Sequence, residues 1–344
     1  MFRKVVRTPD RSFLCPAVPV LTEMPQSPHF EDDAGLGRAV ASRTAHVVHL
    51  THNDLDAVGA DAIHRMKFGK DGVFTVWSSV GKFAHLFALI ASCPGKGDLL
   101  SISDLGCQRD MGAVVGRARS NGWVIEWRDH HRWREEEITG IKKHVSILHI
   151  DTEVCATGIV ARDLAPENPV ALEVARVVCD YDLWKHTDPR SAVLGQVLQR
   201  KKNRDHVRDC LIEGIFSDML IESEYQEIKA EMDAMMERSL RHTTFLGQKY
   251  RIAFAPLYGY PSETAHFIRN KENTDIEVII GKDGKFSIRS VPQISHLIAR
   301  EFGGGGHPAA AGGSFNFTVV ERFTWWLFKK SRHFDEMVKI AENY

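Results

Sequence analysis

The segment His52-Asn53-Asp54-Leu55-Asp56 puts one imidazole and two carboxylates within five residues. Asp54 and Asp56 are two apart, so a turning backbone lets them flank a common point from different sides. Carboxylates this close repel each other unless something positive lies between them, and a divalent metal ion is the natural candidate. Further along come Asp104, then Asp129-His130-His131, then Asp180-Tyr181-Asp182. Carboxylate-rich clusters with one or two imidazoles suit Mn²⁺ or Mg²⁺ better than metals that prefer thiolates. Three or more carboxylates would over-neutralise one ion, so the expected arrangement is two ions sharing a bridging carboxylate. Such sites activate a water on one side and stabilise charge on phosphoryl oxygens on the other, with the ions ~3.5–4 Å apart.

The elements that must position these groups repeat from about residue 44: an apolar strand, a polar cluster, then a helix. Val47-Val48-His49-Leu50 leads into the first cluster and a helix-like stretch, 60–68, leads out. Strand-like runs follow at 72–77, 99–103, 123–127 and 145–150, with helix-like stretches at 83–90, 109–120, 155–164 and 170–179. Asn121-Gly122 stops the third helix as a left-handed cap would. Strands alternating with helices indicate a doubly wound parallel sheet, whose functional groups gather at the carboxyl edge of the strands. Three successive strands end in Asp or His. A lone Asp at a strand end is usually a helix cap, and Asp56 alone reads that way too. The joint occurrence at successive strand ends is what separate caps do not supply. His49 reads as a core histidine or one supporting the cluster.

From about 191 to 242 the chain turns helical and charged, with Met219, Met232 and Met235 at helical intervals; packing in a connecting helix accounts for them. A second domain starts near 243, with strand-like runs at 249–256, 274–280 and 286–290, the last two joined by a turn at 281–285. Gly303-Gly304-Gly305-Gly306-His307 then lets backbone amides approach an anion closely. Arg289, on the strand before, reads either as a bidentate partner for a phosphate or as an exposed strand arginine. The expected partition is an irregular arm at 1–43, a catalytic domain at 44–190, a helical linker at 191–242, a substrate domain at 243–318 and a closing helix at 319–344.

Composition sets the class. The chain has 344 residues, 43% hydrophobic and 26% charged, with a net charge of −1. No global field calls for a long duplex or an acidic membrane. The six cysteines form no Cys-x-x-Cys pair. That argues against a zinc ribbon or a disulfide framework and for a reducing cytoplasmic setting, with each cysteine a small buried hydrophobe.

His52-Asn53-Asp54-Leu55-Asp56-Ala57-Val58-Gly59, Asp104, Asp129-His130-His131 and Gly304-Gly305-Gly306-His307-Pro308-Ala309-Ala310-Ala311-Gly312 resemble the ordered motifs of the DHH phosphoesterase superfamily with its DHHA1 domain. The resemblance spans about residues 44 to 318. It implies a Rossmann-like α/β domain holding two Mn²⁺ ions, with Mg²⁺ as the alternative. A helical linker would join it to a smaller α+β domain that grips the substrate. It places His52, Asp54, Asp56, Asp104, His131 and Asp180 on the metals, Asp104 as the bridge, His130 beside the attacked phosphate and Gly305, Gly306 and His307 on the substrate. Many short-oligonucleotide members carry their first histidine four residues before the first aspartate, where this chain has Leu50. His52 instead lies two before Asp54, as in nanoRNase B-type members. For the last carboxylate Asp180 competes with Asp182.

The resulting expectation is a metal-dependent phosphodiesterase that cleaves short single-stranded oligoribonucleotides to mononucleotides. Its partners would be short RNA or small nucleotides and a second copy in a homodimer. A cyclic mono- or dinucleotide phosphodiesterase, a bisphosphorylated-nucleoside phosphatase and a non-catalytic nucleotide-binding regulator are the alternatives.

Overall fold

The computed structural model describes residues 32–344, so the first 31 residues of the expected arm lie outside it. The chain divides into two compact units: residues up to 179 with 204–214, and residues 180–203 with 215–344.

The first unit runs α1 (Asp33–Ser42), β1 (Val47–Thr51), α2 (Leu55–Phe68), β2 (Val73–Trp77), α3 (Val80–Ser92), β3 (Leu99–Ser103), α4 (Met111–Ser120), β4 (Val124–Asp129), α5 (Glu135–Lys142), β5 (Ile147–Ile150) and α6 (Ala156–Leu164). Next is α7 (Pro169–Asp182), then α8 (Pro189–Val197) of the second unit, then α9 (Arg204–Ile212) of the first. The five strands are all parallel in the order β2-β1-β3-β4-β5. β1 is buried along its whole length, as its β-branched and apolar residues require when helices cover both faces of a sheet. On one face Leu36 and Val40 of α1 join Phe83, Phe87 and Ile90 of α3 and Val115 of α4 around Trp127. Phe83 and Phe87 meet the Trp127 ring edge-on, with centroids 5.6 and 5.9 Å away. Each such side chain contributes about 1.5–3 kcal/mol on burial. On the other face α2 packs against α6 and α9. The expected doubly wound α/β sheet is therefore present.

Two expectations need correction here. Residues 33–42 are a helix and not irregular arm: Asp32 caps it by accepting the Gly35 amide at 2.6 Å, and Leu36 and Val40, one turn apart, are buried. Cys155 and Cys179 form a disulfide although they lie 24 residues apart. The N-terminus of α6 and the last turns of α7 bring their Cα atoms to 5.1 Å, which spacing along the chain does not reveal.

The second unit continues with α10 (Met219–Arg241), β6 (Thr244–Leu246), β7 (Ile252–Pro256), α11 (Pro261–Glu272), β8 (Ile276–Ile280), β9 (Lys285–Ser290), α12 (Ser295–Glu301), β10 (Gly305–His307), β11 (Ala310–Ser314), α13 (Val319–Phe328) and α14 (His333–Glu342). Its six-stranded sheet has the order β10-β11-β9-β8-β7-β6. β8 and β9 form the expected antiparallel hairpin, while β7 and β8 run parallel because α11 crosses between them. The core gathers Phe254 of β7, Ile276, Val278 and Ile280 of β8, Ile288 of β9, and Trp325 and Phe334 of the last two helices. The alternate residues 276, 278 and 280 share one face of β8, as the two-residue period of a strand requires. The closing segment 319–344 is two helices and not one, because Lys329 adopts a left-handed φ of 53° where α13 ends. Trp325, Phe334 and Met337 tie both helices to the sheet.

Candidate metal centre

Strand register assembles the site. Thr51 on β1 pairs with Ser103 on β3, and Ser103 pairs with Arg128 on β4. The residues that follow, His52, Asp104 and Asp129 (the last residue of β4, still paired with Ile150), therefore lie at the same edge of the sheet. The order β2-β1-β3 also makes the gap beyond β1 and β3 the point where the chain's winding reverses, which is where open α/β sheets form their crevice.

Asp54 caps α2 by accepting the Ala57 amide at 3.2 Å, and its other oxygen lies 2.7 Å from His52 Nδ1. His52 Nδ1 is also 3.5 Å from Asp104 Oδ2. Ligand atoms of His52, Asp54 and Asp104 all fall within 4.8 Å of one another, and so do those of Asp104, His130 and His131. The two groups share Asp104. Its backbone is left-handed, with φ 54°, a strained conformation for a residue with a side chain, and the group itself is buried. Asp104 Oδ2 has no hydrogen-bond partner. His130 Nε2 stands 3.4 Å from Asp104 Oδ1 and 3.8 Å from Asp56 Oδ2.

Asp56 is fully buried in the first turn of α2, where its two oxygens accept the Thr157 and Ala156 amides at 2.7 and 2.8 Å. Those amides are unsatisfied donors at the N-terminus of α6, so the helix holds the carboxylate in place. Gly59 makes the approach possible: a Cβ there would come within 2.8 Å of Thr157 Oγ1 and 2.9 Å of Val178. Asp129, which the expected ligand set leaves without a task, binds His131 Nδ1 at 2.8 Å and accepts from Trp133 Nε1 at 2.6 Å. It thereby fixes the ring and leaves Nε2 as the nitrogen that can bind a metal. Within β1, His49 joins Asp61 at 2.7 Å and Ser103 at 2.8 Å, as a buried supporting histidine.

Protonation follows from this crowding. Burial pushes the Asp104 carboxyl well above its usual range, and the charges of Asp54 and Asp56 push it further. Burial likewise raises Asp56. His52 is pushed down by burial, but the carboxylates of Asp104 and Asp54 outweigh this and lift it to about 10. A cluster that draws protons so strongly is a site for cations. Buried carboxylates, three imidazoles and an orphaned oxygen on the shared residue fit a pair of divalent ions of the Mn²⁺ or Mg²⁺ kind.

Asp180, the remaining expected ligand, sits in the last turn of α7. Its Oδ1 accepts from the Thr187 amide at 2.9 Å and from the Thr187 hydroxyl, and its Oδ2 from Asp188 N at 3.1 Å and Ser191 Oγ at 2.6 Å. Both oxygens are engaged in holding the loop that starts α8. Arg289 donates to Ser262 Oγ at 2.7 Å and to the Ile288 carbonyl at 3.0 Å, so it is not a free strand arginine, and among the described residues it pairs with no carboxylate.

The glycine run is part of a hairpin, β10–β11. Three of its glycines have steric reasons. Gly303 has φ +68°, a Cβ on Gly304 would lie 1.9 Å from the Gly312 carbonyl, and one on Gly306 would lie 2.6 Å from Ala311. Gly305 has neither constraint, and it is exposed beside exposed His307.

No protein-family model matches the chain, and no curated protein matches it. Solved structures do. A pGpG-specific phosphodiesterase, PggH from Vibrio cholerae, aligns over 87% of this chain and 100% of its own at TM-score 0.54 and 11% identity. An exopolyphosphatase-related protein from Bacteroides fragilis aligns over 89% of this chain and 95% of its own, at TM-score 0.53 and 14% identity. RecJ from Thermus thermophilus in complex with Mn²⁺ aligns over 94% of this chain and 56% of its own, at TM-score 0.54 and 14% identity. At these identities the likeness establishes the fold: a parallel five-stranded sheet in one unit and a second sheet in the other.

Proposed function

We propose that the chain is a divalent-metal-dependent phosphodiesterase that hydrolyses short single-stranded oligoribonucleotides to nucleoside monophosphates. The observation that carries this reading is the pair of donor groups, His52-Asp54 and His130-His131, that share Asp104, whose Oδ2 has no hydrogen-bond partner. The names of the similar structures, a dinucleotide phosphodiesterase among them, support the reaction class.

In this reading His52, Asp54, Asp56, Asp104 and His131 would hold two ions, Mn²⁺ or Mg²⁺, with Asp104, common to both donor groups, expected to serve both. Bound ions would supply a water of lowered pKa and charge stabilisation on the phosphoryl oxygens. The chain's own residues do the rest. Asp129 and Trp133 keep His131 aimed, and the α6 amides keep Asp56 from swinging away. His130, with its Nε2 over the carboxylates, donates to the phosphate as negative charge grows on its oxygens. Asp180 is kept as a proposed ligand, with Asp182 as its rival. Its present bonds to Thr187, Asp188 and Ser191 make its removal as much a test of the loop as of the metal. In the second unit Arg289, Gly304, Gly305, Gly306 and His307 are the proposed substrate contacts, with Gly305 the one glycine whose place the hairpin itself does not demand.

The test is a panel of linear dinucleotides, cyclic dinucleotides, cyclic mononucleotides and a bisphosphorylated nucleoside, assayed with Mn²⁺ and with Mg²⁺. The expected result is mononucleotide release from the linear dinucleotide and its loss in Asp104→Asn. Near-normal turnover in that variant overturns the two-metal assignment, and faster turnover of a cyclic substrate replaces the proposed substrate.

A further inference from the structure

The second unit contains a cavity of about 560 Å³ between the end of α10, the start of β6, the turn joining β8 to β9 and the end of α13. Four of its lining side chains are cationic, Arg238, Arg241, Lys282 and Lys329, and none is a carboxylate. Among the described residues none of the four forms an ion pair with an acidic group. Two of them lie in the last turn of α10, where a basic residue is favoured by the helix dipole alone. Lys282 and Lys329 come from other elements, so the dipole does not explain why all four converge. Burial lowers the Lys329 ammonium, and the charges of Arg238 and Lys282 lower it further. Drawing like charges together costs stability unless an anion joins them.

The other walls are aromatic. The Arg238 guanidinium lies 4.1 Å from the centroid of the Tyr258 ring, and this cation-on-ring pair makes a flat platform. Trp326 and Phe328, 57% and 63% exposed, present large rings to water at the same cavity. Lys329 Nζ donates to the Trp325 and Trp326 carbonyls, but among the described residues no carboxylate neutralises it or the other three cations. Exposed aromatics beside such cations suit a ligand that carries both an anion and a flat ring. The volume lies in the range of small-molecule sites, roughly 300–1,000 Å³.

We propose that this cavity is a nucleotide-binding site, which takes a phosphate on Arg241, Lys282 and Lys329 and a base on Trp326 and the Arg238–Tyr258 platform, the nucleotide being one unit of a single strand. An acidic peptide would satisfy the cations and leave the rings in water. A membrane surface would meet the outer face of α13 at Val319, Val320 and Phe323, but it would not enter a concave site whose charges line the inside. The inference stands apart from the phosphodiesterase reading, because it needs neither the metal centre nor turnover.

The experiment uses the full chain carrying Asp104→Asn, with no divalent metal, and follows polarisation of a fluorescein-labelled single strand of about ten nucleotides. The competitors are AMP and phosphatidylglycerol vesicles. Binding is expected to weaken as salt rises. It should weaken at least tenfold in Arg241→Glu/Lys282→Glu and severalfold in Trp326→Ala, while Lys282→Arg retains it. Displacement by AMP shows that a free nucleotide also fits, whereas resistance to AMP assigns the site to the strand. With Asp104 intact, the charge-reversed chain should hydrolyse a dinucleotide at the wild-type rate. Equal strand affinity in the folded charge-reversed and parent chains overturns the proposal, and so does an effect of charge reversal on vesicles alone. If the parent chain cleaves no phosphodiester but binds the strand as described, the functional reading fails and this one survives.

Discussion

Asp129 shows how a residue can serve the proposed metal centre without belonging to it. Its carboxylate takes one bond from His131 and one from Trp133, and burial is outweighed by the His131 bond so that it stays ionised below the usual carboxylate range. Asp129→Asn keeps the size but offers one acceptor where two are used. The expected result is a metal affinity about 10–100-fold weaker, with the fold retained, measured by titrating Mn²⁺ calorimetrically. An unchanged affinity would mean that His131 needs no such support. Gly59 supports the site differently, by letting α2 reach α6. Gly59→Ala should cost about 1–3 kcal/mol in a urea titration, because Thr157 and Val178 leave no room for a methyl. The ligand candidates are legible in the sequence because each falls where an apolar run stops. The hold on Asp56 is hidden there, since Ala156 and Thr157 lie 100 and 101 residues away and no local pattern links them.

At the scale of elements, periodicity reveals the five strands of the first unit, β7, β8 and β9 of the second, and the helices α3, α4 and α6, because each buries a regular stripe or run. It misses α1, whose ten residues offer only Leu36 and Val40 as a buried pair, and the hairpin β10–β11, whose glycines and alanines carry no strand pattern. Helix α2 carries a charge-sensitive contact that burial chiefly creates. His64 is fully buried, with Nδ1 2.7 Å from the Ala60 carbonyl and Nε2 2.8 Å from Ser101 Oγ. Burial holds its imidazole well below the usual value, followed by the effect of neighbouring His49. The folded chain therefore keeps His64 neutral where the unfolded chain, with a pKa of about 6.5, takes up a proton. Its stabilising contribution is complete above that pH and is lost as pH falls below it. Unfolding free energy measured in urea should drop between about pH 7 and pH 5, and His64→Gln should flatten part of that drop. A parallel slope in both chains would assign the acid sensitivity elsewhere. The disulfide belongs to this scale too. Cys155→Ser should lower stability by about 2–4 kcal/mol in a urea titration by freeing the junction of α6 and α7, and a thiol titration of the parent should count two fewer free thiols than its six cysteines.

For the molecule as a whole, alternating strands and helices foretell the doubly wound unit, but not how the chain is shared between units. Residues 204–214 return to the first unit, where Arg208, nearly buried, reaches Asp205 at 2.7 Å and lies 3.8 Å from Asp61. A charged helix gives no sign in its sequence that its arginine will seek a carboxylate some 150 residues earlier. The first unit's stability should in turn depend on metal. Asp54, Asp56 and Asp104 are gathered at one sheet edge, and without a cation their mutual repulsion is relieved only by proton uptake and by the neighbouring imidazoles. An ion that binds the folded chain and not the unfolded one stabilises by about 2.7 kcal/mol at a hundredfold excess over its dissociation constant. Adding Mn²⁺ should therefore raise the melting temperature, and a chelator should reverse the rise. Asp104→Asn removes the shared carboxylate, so it should start out at least as stable as the parent without metal and gain little from Mn²⁺. Second-unit variants such as Lys282→Glu should keep the full gain. An equal Mn²⁺ response in Asp104→Asn and in the parent would place the metal away from the edge that β1, β3 and β4 share.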